Sequence, residues 1–193
     1  MVTLEYNANS KLITASDAVV ALSTETNIDQ INVLTTSLIG ETNPNFTPQP
    51  NEALSKMIKG LFESGMKNLQ QKKLNEALKN VSLAIEMAQR KRAPWEAFAI
   101  QLSELHFMLR SKIDLCLILG KHLEALQDLD FLLGTGLIQP DVFVRKADCL
   151  LKLKQWEEAR ATCERGLALA PEDMKLRALL IETARNLVEY NGE

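Results

Sequence analysis

Three five-residue stretches repeat one pattern along this chain: Leu74-Asn75-Glu76-Ala77-Leu78, His122-Leu123-Glu124-Ala125-Leu126 and Trp156-Glu157-Glu158-Ala159-Arg160. Each sets an apolar or ring-bearing residue three positions before an alanine, with a glutamate immediately before that alanine. Ala125 and Ala159 are 34 residues apart, and Ala77 and Ala125 are 48 apart, one period plus 14. A fixed period of this length constrains the fold more than any other feature, because it marks a solenoid. Each unit of a solenoid is one supersecondary motif that buries its apolar face only against its neighbours.

The small residues around the anchors have a steric reason. Two helices that cross at close range leave no room for a bulky side chain at the crossing. Seven residues after the anchor stand Ala84 in the first repeat and Gly166 in the third, with Leu132 as a departure in the second. In the preceding helix, Gly65 and Ala147 fill the small position, and Pro171 closes the third repeat. Trp156 is expected to fill the gap at the turn between its two helices. The 14 extra residues lie around Arg90 to Glu104. Pro94 suits a first helical position and Glu96 a first turn, which predicts an elongated first helix in the second repeat, from Pro94 to Ile118. After Pro171, Glu172 and Asp173 open a last helix. Its face of Leu176, Leu179, Leu180, Ala184, Leu187 and Val188 would cap the final apolar surface, with Lys175, Arg177, Glu182 and Arg185 turned away.

A 34-residue helix–turn–helix unit with these anchors is the tetratricopeptide pattern. The expected fold is therefore mainly α: a tetratricopeptide solenoid of about three repeats plus a capping helix, over residues 51–193. Aromatic residues are only 5% of the chain, which suits a core of Leu, Ala, Ile and Val between closely packed helices.

Residues 1–42 have a different texture, rich in Thr, Val, Ile, Asn and Ser. Val2 to Tyr6 alternates as a half-buried strand does, Asn7 to Ser10 is turn-prone, and Leu12-Ile13-Thr14 returns as a second strand. Asp17 to Leu22 reads as a strand or a buried helical turn, and Asp29 to Ile39 has helical spacing. The segment is thus a small mixed α/β unit, too short to stand alone, and its strands are covered either by the repeats or by another chain. Residues 43–50, with Pro44, Pro48 and Pro50, form a linker from which helix is excluded.

Chemistry-bearing patterns are scarce, and an enzyme is not expected. No phosphate-cradling glycine loop, zinc-protease helix or nucleophile elbow occurs. Cys116, Cys149 and Cys163 lack the paired spacing of a zinc site and read as reduced core cysteines, so no metal, cofactor or catalytic residue is expected. His122 takes the packing position held by Trp156, and His106 lies mid-helix. Arg90-Lys91-Arg92 reads as a solvated basic loop. A net charge of −3 argues against a general nucleic-acid surface. The longest clean apolar run, Leu115 to Leu119, falls far short of the roughly 20 residues of a bilayer span.

Stacked tetratricopeptide units present a concave surface lined by their first helices, which accepts an extended peptide. Counting back from the anchors, the facing positions are Lys59, Phe62, Glu63, Met66 and Gln70 in the first repeat. They are Phe107, Arg110, Ser111, Asp114 and Ile118 in the second, and Asp141, Val144, Arg145, Asp148 and Lys152 in the third. Lys59, Phe62, Met66, Arg110, Ser111, Arg145 and Lys152 are the candidate peptide-binding residues.

The run Val144-Arg145-Lys146-Ala147, with Trp156 to Arg160 and Glu164 to Leu167, resembles the third repeat of co-chaperone tetratricopeptide domains. Those domains hold the acidic tails of cytosolic heat-shock chaperones with a two-carboxylate clamp. The resemblance places Arg145 on the clamp arginine and Ser111 on a clamp asparagine. Phe62 and Met66 stand where the clamp has lysine and asparagine, and Asp141 where it has lysine, so Arg110, Lys59 or Lys152 is left to supply the missing charge. Over its full length, including MVTLEYNANSKLITASD and QWEEARATCERGLALAPED, the chain resembles the small cytosolic tetratricopeptide subunits of the fungal post-translational translocation complex of the endoplasmic reticulum. That resemblance implies peripheral attachment at the cytosolic face through a single-span membrane subunit, held by the N-terminal segment. It implies contact with other translocon subunits, including the J-domain subunit. It also implies docking of chaperones of the seventy-kilodalton class. The competing expectation is a structural subunit whose groove is filled by its own complex.

Overall fold

The computed structural model describes residues 3–16, 20–47, 49, 51–90, 93–96 and 100–192. Two short strands, β1 (Leu4–Asn7) and β2 (Leu12–Ala15), precede eight α-helices in the described residues. These are α1 (Leu22–Ile39), α2 (Glu52–Gln70), α3 (Leu74–Arg90), α4 (Ile100–Ile118), α5 (His122–Gly134), α6 (Pro140–Lys152), α7 (Trp156–Leu169) and α8 (Met174–Asn191). The chain divides into two compact units, Met1–Met108 and Leu109–Glu193, with the division inside α4.

The repeat is visible first in the turns. Lys72, Gly120 and Lys154 all adopt left-handed backbone conformations, with φ of 60°, 70° and 59°. Each stands five residues before its anchor alanine. In all three, the amide that follows reaches back to close the preceding helix: Lys73 N to Asn68 O, Lys121 N to Cys116 O and Gln155 N to Leu150 O, at 2.8–2.9 Å. This is a left-handed C-terminal cap, which satisfies carbonyls the helix leaves open. Each anchor alanine is fully buried.

The small residues sit at close crossings, as the steric argument requires. A methyl group on Gly65 would lie 2.7 Å from Val81 Cγ2 on α3 and 3.2 Å from the Ala77 carbonyl. One on Gly166 would lie 2.7 Å from Leu176 Cδ1 and 2.9 Å from Phe143 Cβ. The core of the first unit is Ile58, Ala77, Leu78, Val81, Ala84, Ile85 and Met108. In the second unit, Leu132 is fully buried at the place where the other repeats carry a small residue.

Some expectations are corrected. The second repeat opens with a 3-10 turn, Pro94–Glu96, and α4 starts only at Ile100, so Pro94 does not begin that helix. Part of the insertion does lengthen the helix, since α4 has 19 residues against 13 in α6. The rest falls in α3, at 17 residues against 13 in α5, and in the stretch after it. Trp156 does more than plug the turn: it packs on Leu150, Leu151 and Ala159, and its ring meets Tyr190 of α8 at 4.9 Å. In α8, Leu176, Thr183 and Leu187 are the buried residues, whereas Ala184 and Val188 face outward. The apolar seam is narrower than hydrophobicity alone suggested, and the Thr183 hydroxyl enters it by donating to the Leu179 carbonyl at 2.7 Å.

At the N-terminus the hairpin forms, with Leu4 opposite Ala15 and Tyr6 opposite Ile13. The Asn7 carboxamide accepts from the Asn9 and Ser10 amides and so holds the turn. The half-burial expected for the first strand is not found: all four β1 residues are exposed. Helix α1 covers β2 instead, and Asn32 acts as a surrogate strand, pairing with both the N–H and the C=O of Ile13 at 2.8 Å. The helix expected over Asp29 to Ile39 begins earlier, at Leu22. Val2, residues 17–19 of the ambiguous stretch, Pro48, Pro50, Lys91-Arg92 and residues 97–99 lie outside the described residues.

Candidate peptide-binding site

The first unit carries the apolar candidates. Phe62 and Met66 are half-buried on α2, and the Phe62 ring meets that of Phe107 at 5.5 Å. Both rings come from positions expected to face the same surface. Phe107 remains 61% exposed, which leaves an aromatic platform open to solvent. Lys59 is exposed and pairs loosely with Glu63 at 3.8 Å. An exposed i,i+4 pair of this kind contributes only about 0.3–0.5 kcal/mol.

The second unit carries the arginine candidates, and they are brought together. Arg110 on α4 and Arg145 on α6 converge on Asp141. The Arg145 Nη1 donates to Asp141 Oδ2 at 2.8 Å, and the Arg110 Nη2 donates to that same oxygen. Arg145 Nε donates to Asp114 Oδ1 at 2.8 Å, and Arg110 Nη1 donates to Gln139 Oε1 at 3.3 Å. The hydrogen bond that Arg145 donates to Asp114 is the main reason its guanidinium is held above its already high pKa. Ser111 is half-buried on α4. Lys152 is exposed at the end of α6 and takes part in no ion pair among the described residues.

Beside this cluster a cleft of about 730 Å³ opens between α6 and the start of α8, lined by Gln139, Pro140, Val144, Met174 and Lys175 among others. Asp173 caps α8 by accepting from the Lys175 and Leu176 amides. A more buried ion pair, Lys112 with Asp128 at 2.8 Å, ties α4 to α5 behind the site. Burial pushes the Asp128 carboxyl above its ordinary value, with Lys112 pulling the other way.

The sequence placed Arg110, Asp114, Asp141 and Arg145 on one surface, and the ion pairs of the second unit join all four. Sequence reasoning missed how these charges use one another. The signal was present in two acids and two arginines on facing positions of consecutive repeats. It also missed Met174 and Lys175, which lie beyond the repeat pattern. The cysteines are buried and unpaired. Burial raises their thiols to about 11 for Cys116 and Cys163 and about 12 for Cys149, which makes them poor nucleophiles.

No protein-family model matches the chain. It is 98% identical over 193 residues, the whole of both chains, to the translocation protein SEC72 of Saccharomyces cerevisiae. A chain of the S. cerevisiae Sec complex, solved by cryo-EM with Sec61 pore-ring and Sec63 FN3 mutations in a class without Sec62, is 98% identical. It superimposes with a TM-score of 0.75, covering 98% of this chain and all of that one. The first TPR of Spaghetti (RPAP3), solved with the HSP90 peptide SRMEEVD, is 19% identical with a TM-score of 0.53, over 69% of this chain and 95% of that one. That likeness carries the fold, a tetratricopeptide helical repeat. Near-identity from end to end carries more, and by it this chain belongs to the SEC72 family of translocation proteins.

Proposed function

We propose that this chain is a non-enzymatic adaptor subunit of the post-translational translocation complex, at the cytosolic face of the endoplasmic reticulum. It docks seventy-kilodalton-class heat-shock chaperones through their acidic C-terminal tails and so aids precursor delivery. The observation that carries this reading is the convergence of Arg110 and Arg145, from two consecutive repeats, at the rim of a cleft with apolar walls. Guanidinium groups held in fixed orientation suit a terminal carboxylate, which they bind bidentately. Val144 and Met174 beside them offer an apolar anchor, and Lys152 adds an exposed cation two turns further along α6. One or two charge-assisted hydrogen bonds of about 1.5–3 kcal/mol each, with such an anchor, give roughly micromolar affinity. Weak binding of this order suits repeated capture and release.

The division of labour we infer is residues 1–42 for docking, 43–50 as linker and 51–193 as the repeat domain. The first strand supports this, since β1 is exposed on every residue, with Leu4 at 52% and Tyr6 at 61%. The Ile13 N–H and C=O point to Asn32, so those of Tyr6 opposite point to the open edge, where a strand of the single-span membrane subunit would pair. Among the described residues no helix is long and apolar enough to cross a membrane. Attachment is therefore borrowed from that subunit, with the J-domain subunit as a further neighbour. Deleting residues 1–42 abolishes co-purification with the membrane subunit while the repeats stay folded. Retained co-purification would refute the division.

A second reading has a specific observation in its favour. Arg110 and Arg145 are already matched by Asp114 and Asp141, which suits a structural subunit whose groove is filled by its own complex. Arg145→Ala separates the two. Tail docking requires binding of an acidic peptide to weaken at least about tenfold, or about 1.4 kcal/mol, with the helical CD spectrum intact. Unchanged affinity favours the structural subunit.

A further inference from the structure

We propose that Asp141 is a built-in stand-in for the ligand: it occupies the arginine pair of the empty protein, and a peptide's terminal carboxylate binds by displacing it. This rests on the tail-docking reading and names the residue that sets its strength. One oxygen, Asp141 Oδ2, accepts from both Arg110 and Arg145, the place where an incoming carboxylate would gain most. The rest of Arg145 is spoken for: Nε and Nη2 face Asp114, and Nη1 also lies 3.3 Å from the Asp141 carbonyl. A ligand carboxylate therefore finds no open pair of donors on Arg145 until Asp141 leaves.

Two arginines and two aspartates sum to zero, so an approaching anion meets no net positive field. The equivalent positions of the other repeats carry Lys59 and Phe107, and only the third repeat places an acid there. Asp141 is also held from below, because it stands in the first turn of α6, where a helix favours negative charge. The exchange is nonetheless accessible. Asp141 is 37% exposed and Arg110 39%, so solvent reaches the pair and one carboxylate replaces another with little loss. The adjoining cleft gives room for the residues that precede a terminal carboxylate, with exposed Lys175 on its wall.

When a binding-competent state is only fractionally populated, apparent affinity falls by that fraction, so a competitor engaged about nine-tenths of the time weakens binding about tenfold. Asp141→Asn keeps the shape and removes the charge. Glu158→Gln makes the same charge change on α7, at an exposed position outside the facing surface and without an ion pair among the described residues. The full chain and both variants are titrated with the peptide SRMEEVD bearing a free carboxylate, and folding is checked by CD. The expected result is binding at least about fivefold tighter for Asp141→Asn and within about twofold of wild type for Glu158→Gln. Asp141→Ser, which suits a helix first turn, repeats the gain if the asparagine variant is unstable. Wild-type binding that Asp141→Asn leaves equal or weaker overturns the stand-in while sparing the docking reading. Equal gains from Asp141→Asn and Glu158→Gln overturn it as well, since charge alone then explains them. Binding by Asp141→Asn with none by wild type supports the stand-in and removes native tail docking. No binding by any variant overturns both.

Discussion

The two units of this molecule carry opposite chemistry at equivalent repeat positions. Fifteen residues before the anchor alanine stand Phe62 in the first unit, and Arg110 and Val144 in the second. In the first unit the outcome is a ring pair, Phe62 with Phe107, and an exposed lysine–glutamate pair. In the second it is a closed network of two arginines and two aspartates. The backbone scaffold is the same in both, down to the left-handed turn residue. A tetratricopeptide repeat therefore specifies where side chains stand and leaves their chemistry free. The first unit offers apolar area and the second offers orientation of charge.

That comparison breaks most sharply at the close crossings. Gly166→Ala should lower the unfolding free energy by about 2 kcal/mol in a denaturant titration, because Phe143 Cβ, 2.9 Å from the added methyl, sits next to rigid backbone. Gly65→Ala in the first unit meets Val81 and the Ala77 carbonyl and should behave likewise. Neutral effects at both would mean the small residues are not there to let helices approach.

The ring pair comes next. Phe62→Leu should cost about 1 kcal/mol of stability and leave the charge network of the second unit untouched. A loss of salt-dependent peptide binding on this change would show that the units do not divide the work as described.

The turns test the shared scaffold. Lys72 and Lys154 hold a conformation that disfavours a side chain by about 1 kcal/mol. Lys72→Gly and Lys154→Gly should therefore each raise the denaturation midpoint, whereas Gly120→Ala should lower it by a similar amount. A shift in only one unit would deny their equivalence.

Titration gives the smallest effects, with opposite signs in the two units. Burial lowers the His106 pKa below 6.5, so the unfolded chain takes up the proton first and stability falls as pH drops through that value. Burial raises the Asp128 carboxyl above 3.8, so the folded chain holds its proton longer and stability falls as pH rises from there through the folded value. His106→Gln and Asp128→Asn should each flatten their own window and not the other.

Legibility in the sequence followed periodicity. The anchors Ala77, Ala125 and Ala159, the glycines at crossings and the cap after Pro171 were readable because helix packing imposes them at fixed spacing. The exposure of β1 was not, because alternation in Leu4 to Tyr6 does not say which face a helix will cover. Asn32, the residue that draws α1 onto β2 instead, acts through its carboxamide across 19 positions. Neither was the outward turn of Ala184 and Val188, since apolar residues bury only where a partner helix lies. In the site, the facing positions followed from counting. The bridging of Arg110 and Arg145 by one aspartate needed side-chain geometry, because ion pairs across 31 residues leave no periodic trace.

The most direct measurement is a titration of the full chain with the acidic peptide SRMEEVD against the same peptide amidated at its C-terminus. A carboxylate-reading dock requires roughly micromolar binding that weakens on amidation and with added salt. Equal affinity for the two peptides, or no binding of either, would contradict it and leave the arginine network as internal structure.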